Sequence, residues 1–153
     1  MLQFIDAKYT YDTNLPLDIE PIVEKYDSAY TINKYGDYIL HTDAEYFIVP
    51  RHCLVPDCYN YEKYNQDKKL DFSKLKVGES IRIKWVDVTN LAVWSEPVCS
   101  QMYTEGILLQ NDISFLIIQN PETIRLSPRP IKNHPEQRPT YYVIPKCMVM
   151  SIL

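Results

Sequence analysis

The residue types best suited to metal binding or nucleophilic catalysis in this chain are four cysteines and three histidines. His52, Cys53 and Cys58 form their tightest cluster along the sequence. Adjacent residues of an extended segment point to opposite faces, so His52 and Cys53 are poorly placed to share one ion. Further ligands would have to come from distant parts of the chain. We therefore expect no metal site.

A cysteine nucleophile needs a base held beside an accessible thiol. The candidate bases are His41, His52 and His134, and the candidate thiols are Cys53, Cys58, Cys99 and Cys147, but any chain of this composition offers as many. The sequence has no P-loop, G-x-G-x-x-G, H-E-x-x-H or C-x-x-C pattern, and its three glycines leave little scope for a phosphate-binding loop. We expect no catalytic residues, no cofactor and no enzymatic activity.

Charge is unevenly distributed along the 153 residues. Residues 1–62 contain eleven acidic and four basic side chains, a net charge of −7. Residues 63–120 contain seven of each, and residues 121–153 contain two acidic and five basic ones, so the whole chain carries −4. An acidic half repels nucleic-acid phosphates, although a basic tail could still contact them.

The first residues, MLQFIDAKYTYD, have neither the basic n-region nor the apolar h-region of a secretion signal. The longest apolar runs, such as residues 115–118, have four or five residues, whereas a membrane span needs about 20. These features predict a cytoplasmic protein that does not bind membranes and keeps its cysteines reduced.

Tyrosine is the most unusual feature of the composition, with thirteen residues, ten of them before residue 65. Tyrosine offers a large, rigid contact area with a polar tip and is enriched at binding hot spots. In the polar segment 56–73 we expect exposed tyrosines that bind a protein partner together with neighbouring carboxylates. The predicted partner-binding residues are Tyr59, Tyr61, Tyr64, Asp57 and Glu62. The tyrosines expected in the core are Tyr26, Tyr30, Tyr38 and Tyr46.

The basic end of the chain supports an alternative hypothesis, nucleic-acid binding through aromatic stacking and a basic track. The residues that would form this surface are Arg125, Arg129, Lys132, Arg138 and Tyr141. The overall acidity of the chain weighs against it.

Hydrophobic periodicity predicts a mostly β protein of the α+β class. Residues 56–73 and the proline-rich residues 121–139 lack periodicity and are interpreted as a linker or surface loop and as a long loop. The predicted elements are a strand in 2–11, a helix over 18–30, a hairpin over 36–50, a strand around 81–86, a hairpin over 105–118 and strands at 141–144 and 149–153.

These elements suggest two units, an acidic, tyrosine-rich α+β unit over residues 1–66 and a small β-barrel over residues 72–153. An internal similarity links residues 46–55 with residues 141–149. Both stretches contain two aromatics, two apolar residues, Pro, a basic residue and then an apolar run with Cys. This pattern predicts a strand that turns a corner at Pro, and it leaves open whether the two stretches arose by duplication.

Residues 76–153 carry a further set of motifs. They are Trp85-Val-Asp87, Trp94, Gly106-Ile-Leu-Leu, Phe115-Leu-Ile-Ile and Ile144-Pro-Lys146. This half of the chain resembles short phage and mobile-element proteins of unassigned function that have an SH3-like or Sm-like small β-barrel. It departs from them at Ile107, where an aromatic is typical, and in the proline-rich insertion. The resemblance implies a fold and a bacterial-host setting and transfers no active site. Apart from the resemblance, we expect Trp85 in the core and Asp87 bonded to its following turn.

Together these observations predict a non-enzymatic protein-interaction module, encoded by a phage or mobile element, whose acidic, tyrosine-rich face engages a basic groove of a host defence protein and inhibits it. A further alternative is a phage structural or assembly protein that forms homo-oligomers through an edge strand.

Overall fold

The computed structural model describes residues 2–15, 19–41, 45–92, 95–128, 131–132 and 138–153. Strands account for 53% and helical turns for 10%, so the prediction of a mostly β protein is confirmed. The strands are β1 (Leu2–Asp6), β2 (Lys8–Thr10), β3 (Ile22–Tyr26), β4 (Tyr30–Ile32), β5 (Tyr38–His41), β6 (Glu45–Val49), β7 (Ser80–Asp87), β8 (Thr89–Ala92), β9 (Ser100–Asn111), β10 (Phe115–Ser127), β11 (Ile131–Lys132), β12 (Tyr141–Pro145) and β13 (Val149–Ile152). The helical segments are the single turn α1 (Tyr61–Tyr64) and 3₁₀ turns at Asp57–Tyr59, Phe72–Lys74 and Lys146–Met148. No helical segment of the described chain could span a bilayer.

The strands form three antiparallel sheets. The largest has the order β13-β7-β9-β10-β12-β2, with β11 paired to the end of β10. A four-stranded sheet has the order β4-β5-β6-β8, and β1 pairs with β3. Within the described residues no sheet closes on itself, so the predicted SH3-like or Sm-like barrel is not confirmed.

The large sheet follows the alternation of its sequence. In β7 the side chains of Ile81, Ile83 and Trp85 are buried, whereas Arg82 and Lys84 between them are exposed. This is the strand with one buried face that the sequence predicted. Both predicted hairpins are also present, as the pairs β5–β6 and β9–β10.

One hydrophobic core draws on both predicted units. Phe4 and Leu40 belong to the same fully buried cluster as Trp85. In addition, β2 extends the large sheet beside β12, and β8 extends the four-stranded sheet beside β6. The two stretches 1–66 and 72–153 thus share two sheets and one core, and their division into separate units stays a prediction.

The predicted helix over residues 18–30 is wrong. Residues 22–26 form β3, antiparallel to β1, and residues 30–32 form β4. Ile22 and Val23, which suggested a helical face, are 39% and 44% exposed and do not cover the core. Pairing with β1 satisfies the backbone hydrogen-bonding groups here. Strands also suit β-branched side chains, whose rotamers are restricted in helices.

The predicted loop over residues 121–139 is wrong at its beginning, because β10 continues to Ser127. Asn120 has a left-handed backbone conformation, φ +50°, and the pairing of β10 with β9 shifts register around it. A bulge of this kind lets Pro121, which has no N–H, lie within a strand.

The polar residues 56–73 are not a linker or a loose surface loop. They form helical turns that bury Cys58, Tyr64 and Phe72 against the core. The segment was misinterpreted because turns of three or four residues are too short to show a period.

The predicted corner at the end of the chain is confirmed. Strand β12 ends at Pro145, the 3₁₀ turn follows, and β13 returns to pair with β7. The similar stretch after β6 also turns at Pro50, whose carbonyl accepts from the Cys53 N–H at 2.9 Å. The two cysteines of these stretches meet in the core, with 3.9 Å between the Sγ atoms of Cys53 and Cys147.

Candidate functional site

The structure separates the predicted partner-binding residues. The Asn60 side chain caps α1 by accepting from the Lys63 N–H, and this turn directs Tyr64 into the core, where it is 1% exposed. The prediction that Tyr64 would be exposed is therefore wrong. Tyr59 and Tyr61 are 46% and 43% exposed.

Contacts within this segment already engage several of its polar groups. The Tyr61 hydroxyl donates to the carbonyl of Leu70. The carboxylate of Asp57 lies 2.9 Å from the ammonium of Lys63, while Glu62 is exposed. The segment thus offers two exposed rings, and the charge of Asp57 is balanced by its neighbour.

Most exposed tyrosines lie elsewhere in the acidic half. Six tyrosines of the described chain have side chains at least 43% exposed, and all six precede residue 62. They are Tyr9, Tyr11, Tyr30, Tyr35, Tyr59 and Tyr61. Tyr30 was expected in the core and is instead 49% exposed.

Tyr30 and Tyr35 belong to a segment that we call the tyrosine hairpin, residues 30–38, which comprises β4, a turn and the start of β5. Ile32 in this segment is 57% exposed and Tyr35 is 56% exposed. The ring of Tyr30 packs edge-on against Tyr38, with 5.6 Å between the centroids. The hairpin therefore exposes aromatic and aliphatic side chains, and its strand β4 lies at the edge of the sheet.

The hydrogen bonds of the hairpin fix which backbone groups face outward. The His41 N–H donates to the Ala29 carbonyl at 3.4 Å, and the Asn33 N–H donates to the Asp37 carbonyl at 3.0 Å. Because bonded pairs alternate in an antiparallel ladder, the odd-numbered residues of β4 face β5. The amides and carbonyls of Tyr30 and Ile32 thus point away from the sheet. On that side no other described strand pairs with β4.

The turn that closes the hairpin is ordered by its own side chains. The Asn33 Oδ1 accepts from the N–H groups of Tyr35 and Asp37 at 2.9 and 3.0 Å, and the Asn33 amide donates to the Pro97 carbonyl at 3.0 Å. Gly36 has φ +87°, a conformation that favours glycine. The exposed ring of Tyr35 is thereby carried on a fixed backbone.

Those side chains of the nucleic-acid hypothesis that the structure describes do not form one exposed track. Tyr141 is 7% exposed in β12, and the Arg138 guanidinium donates to the carbonyls of Asn120 and Pro121. Arg125 lies half-buried in β10 and makes contacts of its own.

Two basic residues of that hypothesis remain, Lys132 and Arg129. Lys132 lies in β11, opposite Ile124. Arg129 falls outside the described residues, as does Trp94.

A cavity of about 640 Å³ lies beside the tyrosine hairpin. Its apolar lining includes Val86, Val98 and Met148, and its polar lining includes Lys34, Arg51, His52 and Lys68. A smaller cavity of about 240 Å³ shares Arg51 and His52 with it. The cations converge here because the corner after β6 and the turn after α1 lie side by side.

Among the cations of this cavity, Lys68 contacts the backbone of a core residue, Cys147. Lys69 adopts a left-handed conformation, φ +53°, and Asn65 brackets Leu70 with hydrogen bonds to its N–H and carbonyl at 3.0 and 2.8 Å. This turn places the Lys68 Nζ 2.5 Å from the Cys147 carbonyl, to which it donates. Burial lowers the pKa of Lys68 to about 8, with Cys147 and Cys53 acting in the opposite direction and the Arg51 charge in the same direction.

His52 is the neutral member of this group. Burial lowers the pKa of His52 to about 4, with the charges of Lys68 and Arg51 acting in the same direction. The Arg51 Nε donates to the His52 Nε2 at 3.1 Å, which makes that nitrogen an acceptor. Arg51 also lies 3.4 Å from Asp67. The cavity lining therefore combines the Arg51 guanidinium, a neutral imidazole and an amine that ionises near neutral pH. Lys34 and the carboxylates of Asp37 and Glu96 also line it.

Two carboxyl groups with raised pKa values, those of Asp6 and Asp87, join β1 to β7. Asp6 and Asp87 hydrogen-bond to each other through their carboxyl groups, and each also accepts from the N–H of the following residue. Burial raises the pKa of Asp6 to about 6, and burial and the Asp6 charge raise the pKa of Asp87. The bond from Asp87 to the backbone of Val88 is the turn contact that the sequence predicted.

Sequence reasoning missed Lys68, the outward edge of β4 and the carboxyl pair. Lys68 lies in a segment without periodicity, and Asp6 is an isolated acid at the end of a short strand. Only the pairing of distant strands reveals that Asp6 meets Asp87.

The chain matches no protein-family model, no curated protein and no solved structure.

Proposed function

We propose that this protein is a non-enzymatic protein-interaction module that binds an extended segment of a partner along β4. The observation that carries the proposal is the edge itself. Tyr30 and Ile32 present outward backbone groups together with exposed side chains of 49% and 57%. Addition of a strand to such an edge supplies affinity through main-chain hydrogen bonds and specificity through the flanking side chains.

The hairpin is suited to this role because it is already ordered. The Asn33 and Gly36 turn fixes the backbone before binding, so little conformational entropy remains to be lost. Each hydrogen bond gained along the edge contributes about 1 kcal/mol, and covering the rings of Tyr30 and Tyr35 adds apolar burial.

The resemblance to phage and mobile-element proteins supports a bacterial cytoplasm as the setting and inhibition of a host defence protein as the outcome. The net charge of −7 over residues 1–62 favours a partner with a basic surface. The same resemblance supports a distant relation of the large sheet to SH3-like or Sm-like barrels.

No specific observation favours nucleic-acid binding as a second function, since Tyr141 is buried and the Arg138 guanidinium is engaged by backbone carbonyls. Assembly into homo-oligomers uses the same kind of edge and is one outcome of the test.

The test is capture from a bacterial lysate on the tagged protein, with and without nuclease treatment, followed by identification of retained proteins. We expect one protein to be retained near stoichiometrically after nuclease treatment. The decisive variant is Ile32→Pro, which removes an outward N–H without breaking a bond to β5. It should abolish retention, whereas Tyr59→Ala, an exposed tyrosine on a different segment, should not.

Retention that survives Ile32→Pro would overturn the role of the β4 edge. Loss of all proteins on nuclease treatment would favour the nucleic-acid hypothesis, and retention of the chain itself alone would favour assembly. A thermal unfolding curve for Ile32→Pro like that of the unaltered chain ensures that the loss reports binding.

A further inference from the structure

The cavity beside the tyrosine hairpin has the size and lining of a small-molecule site. Ligand sites commonly enclose about 300–1,000 Å³ and combine apolar walls with a few convergent polar groups. This one has about 640 Å³, with apolar walls that include Val86, Val98 and Met148. Its polar groups come from elements far apart in the sequence, the turn of the hairpin, the corner after β6 and the turn after α1.

Lys68 is held at this cavity in an unusual setting. Its Nζ donates to the Cys147 carbonyl at 2.5 Å and lies 5.9 Å from the centre of the Tyr64 ring. The groups that face it are the guanidinium of Arg51, the imidazole of His52 and the buried thiols of Cys53 and Cys147. None of these described groups is a carboxylate in contact with the amine. Lys68 is therefore desolvated without an anionic partner, which favours the neutral amine.

Arg51 provides the complementary charge for a ligand. Its guanidinium lies where the two cavities meet, beside His52 and 3.4 Å from Asp67. The Tyr64 hydroxyl, which lines the smaller cavity, is buried and has no hydrogen-bond partner among the described residues. An anionic group at this junction would receive hydrogen bonds from Arg51.

We propose that Lys68 forms an imine with a small aldehyde or ketone whose anionic group is bound by Arg51. The amine nitrogen attacks the carbonyl carbon to give a carbinolamine, and its C–O bond then breaks to release one water. The two amine hydrogens leave in that water, so no oxidant or reductant is required.

This activation follows a general rule of amine chemistry. A lysine becomes nucleophilic when burial or a neighbouring cation favours its unprotonated form. Lys68 has both features, with a pKa of about 8. The site is independent of partner binding along β4, although Tyr35 lines the same cavity.

The experiment uses pyridoxal 5′-phosphate as an anionic aldehyde probe and pyridoxal as its uncharged counterpart. The full chain is treated with a limiting amount of probe at pH 7.5, reduced with borohydride to fix imines as secondary amines, digested and mapped by mass spectrometry. We expect the phosphate probe to label Lys68 at least about tenfold faster than any of the other ten lysines. Pyridoxal should label it several-fold more slowly than the phosphate probe does.

Two variants sharpen the result. Lys68→Arg keeps the positive charge and the donor to Cys147, and it should lose the fast adduct, whereas Lys69→Arg next to it should keep it. Arg51→Gln should remove the preference for the phosphate probe. Labelling spread evenly over surface lysines would overturn the proposal. Equal rates for the two probes would overturn the role of Arg51. The peptide map of the unaltered chain identifies the reactive residue even where a variant fails to fold.

Discussion

A chain of buried hydrogen bonds links three side chains in the large sheet. The Trp85 Nε1 donates to the Thr104 hydroxyl at 2.9 Å, and the hydroxyls of Thr104 and Thr123 lie 2.9 Å apart. Trp85 and Thr104 are completely buried, and Thr123 is 3% exposed. The central hydroxyl therefore satisfies a donor that water cannot reach.

We predict that Thr104→Val lowers the free energy of unfolding by about 1–3 kcal/mol, because it leaves the Trp85 N–H without an acceptor. Thr123→Val should cost less, since the bond from Trp85 remains, and Thr104→Ser should keep most of the stability. Urea unfolding of the three variants measures this order. An equal loss for Thr104→Val and Thr104→Ser would show that packing, not the hydroxyl, is responsible.

Gly106 lies where two strands approach too closely for a side chain. A Cβ at this position would lie 2.5 Å from the Ile118 Cγ2 and 2.8 Å from the Gln119 carbonyl oxygen. We predict that Gly106→Ala lowers the free energy of unfolding by about 1–3 kcal/mol, because the backbone of β10 must move. Ile107→Ala, at a half-exposed neighbour, serves as the control and should cost less. A Gly106→Ala melting temperature equal to that of the unaltered chain would contradict the close approach.

At the scale of elements, the carboxyl pair makes the attachment of β1 to β7 sensitive to pH. Burial raises the pKa of Asp6 to about 6, from an ordinary value of 3.8 in the unfolded chain. Between these values the folded state binds more protons than the unfolded state, so stability falls as pH rises. Asp87, whose pKa is also raised, acts in the same direction.

We therefore predict that the free energy of unfolding decreases from pH 4 to pH 6.5 and that Asp6→Asn flattens this decrease. Asp71→Asn is the matched control. Hydrogen bonds from Ser73 lower the pKa of Asp71, so its contribution is lost only as pH falls below the ordinary range of aspartate. Denaturant unfolding across this pH range provides the measurement. Because burial also raises the pKa of Asp87, a smaller decrease remains in Asp6→Asn, and a slope as steep as that of the unaltered chain would contradict the role of Asp6.

The sequence predicts those elements in which apolar residues are buried and polar residues are exposed, in the same order along the chain. Strand β7 alternates strictly, and the hairpin of β9 and β10 joins two apolar runs through a polar turn. Strand β3 could not be predicted, because its β-branched residues Ile22 and Val23 are exposed and its structure depends on pairing with distant β1. The bulge at Asn120 likewise depends on tertiary contacts.

The candidate site was predictable only in its broad chemistry. An excess of tyrosine indicated an interaction surface in the acidic half, but composition could not tell Tyr64, which is buried, from Tyr30, which is exposed. The cavity depends on a left-handed residue, Lys69, and on the meeting of two distant corners. No local pattern signals either feature.

At the scale of the whole molecule, the shared core predicts cooperative unfolding. Phe4, Leu40, Trp85 and Ile144 lie in one buried cluster that spans the sequence. We predict one unfolding transition in urea, with coincident midpoints from far-UV circular dichroism and tryptophan fluorescence. Two separated transitions would show instead that residues 1–66 and 72–153 are independent units.

The central claim is that a partner strand pairs with the outer edge of β4. The measurement that tests it most directly is amide hydrogen exchange at single-residue resolution, in the free protein and in the complex captured from lysate. We predict that the outward amides of Tyr30 and Ile32 exchange quickly in the free protein and at least about tenfold more slowly in the complex. The inward amide of Thr31, protected in both states, is the internal reference. Unchanged exchange at Tyr30 and Ile32, with protection confined to other segments, would contradict the account.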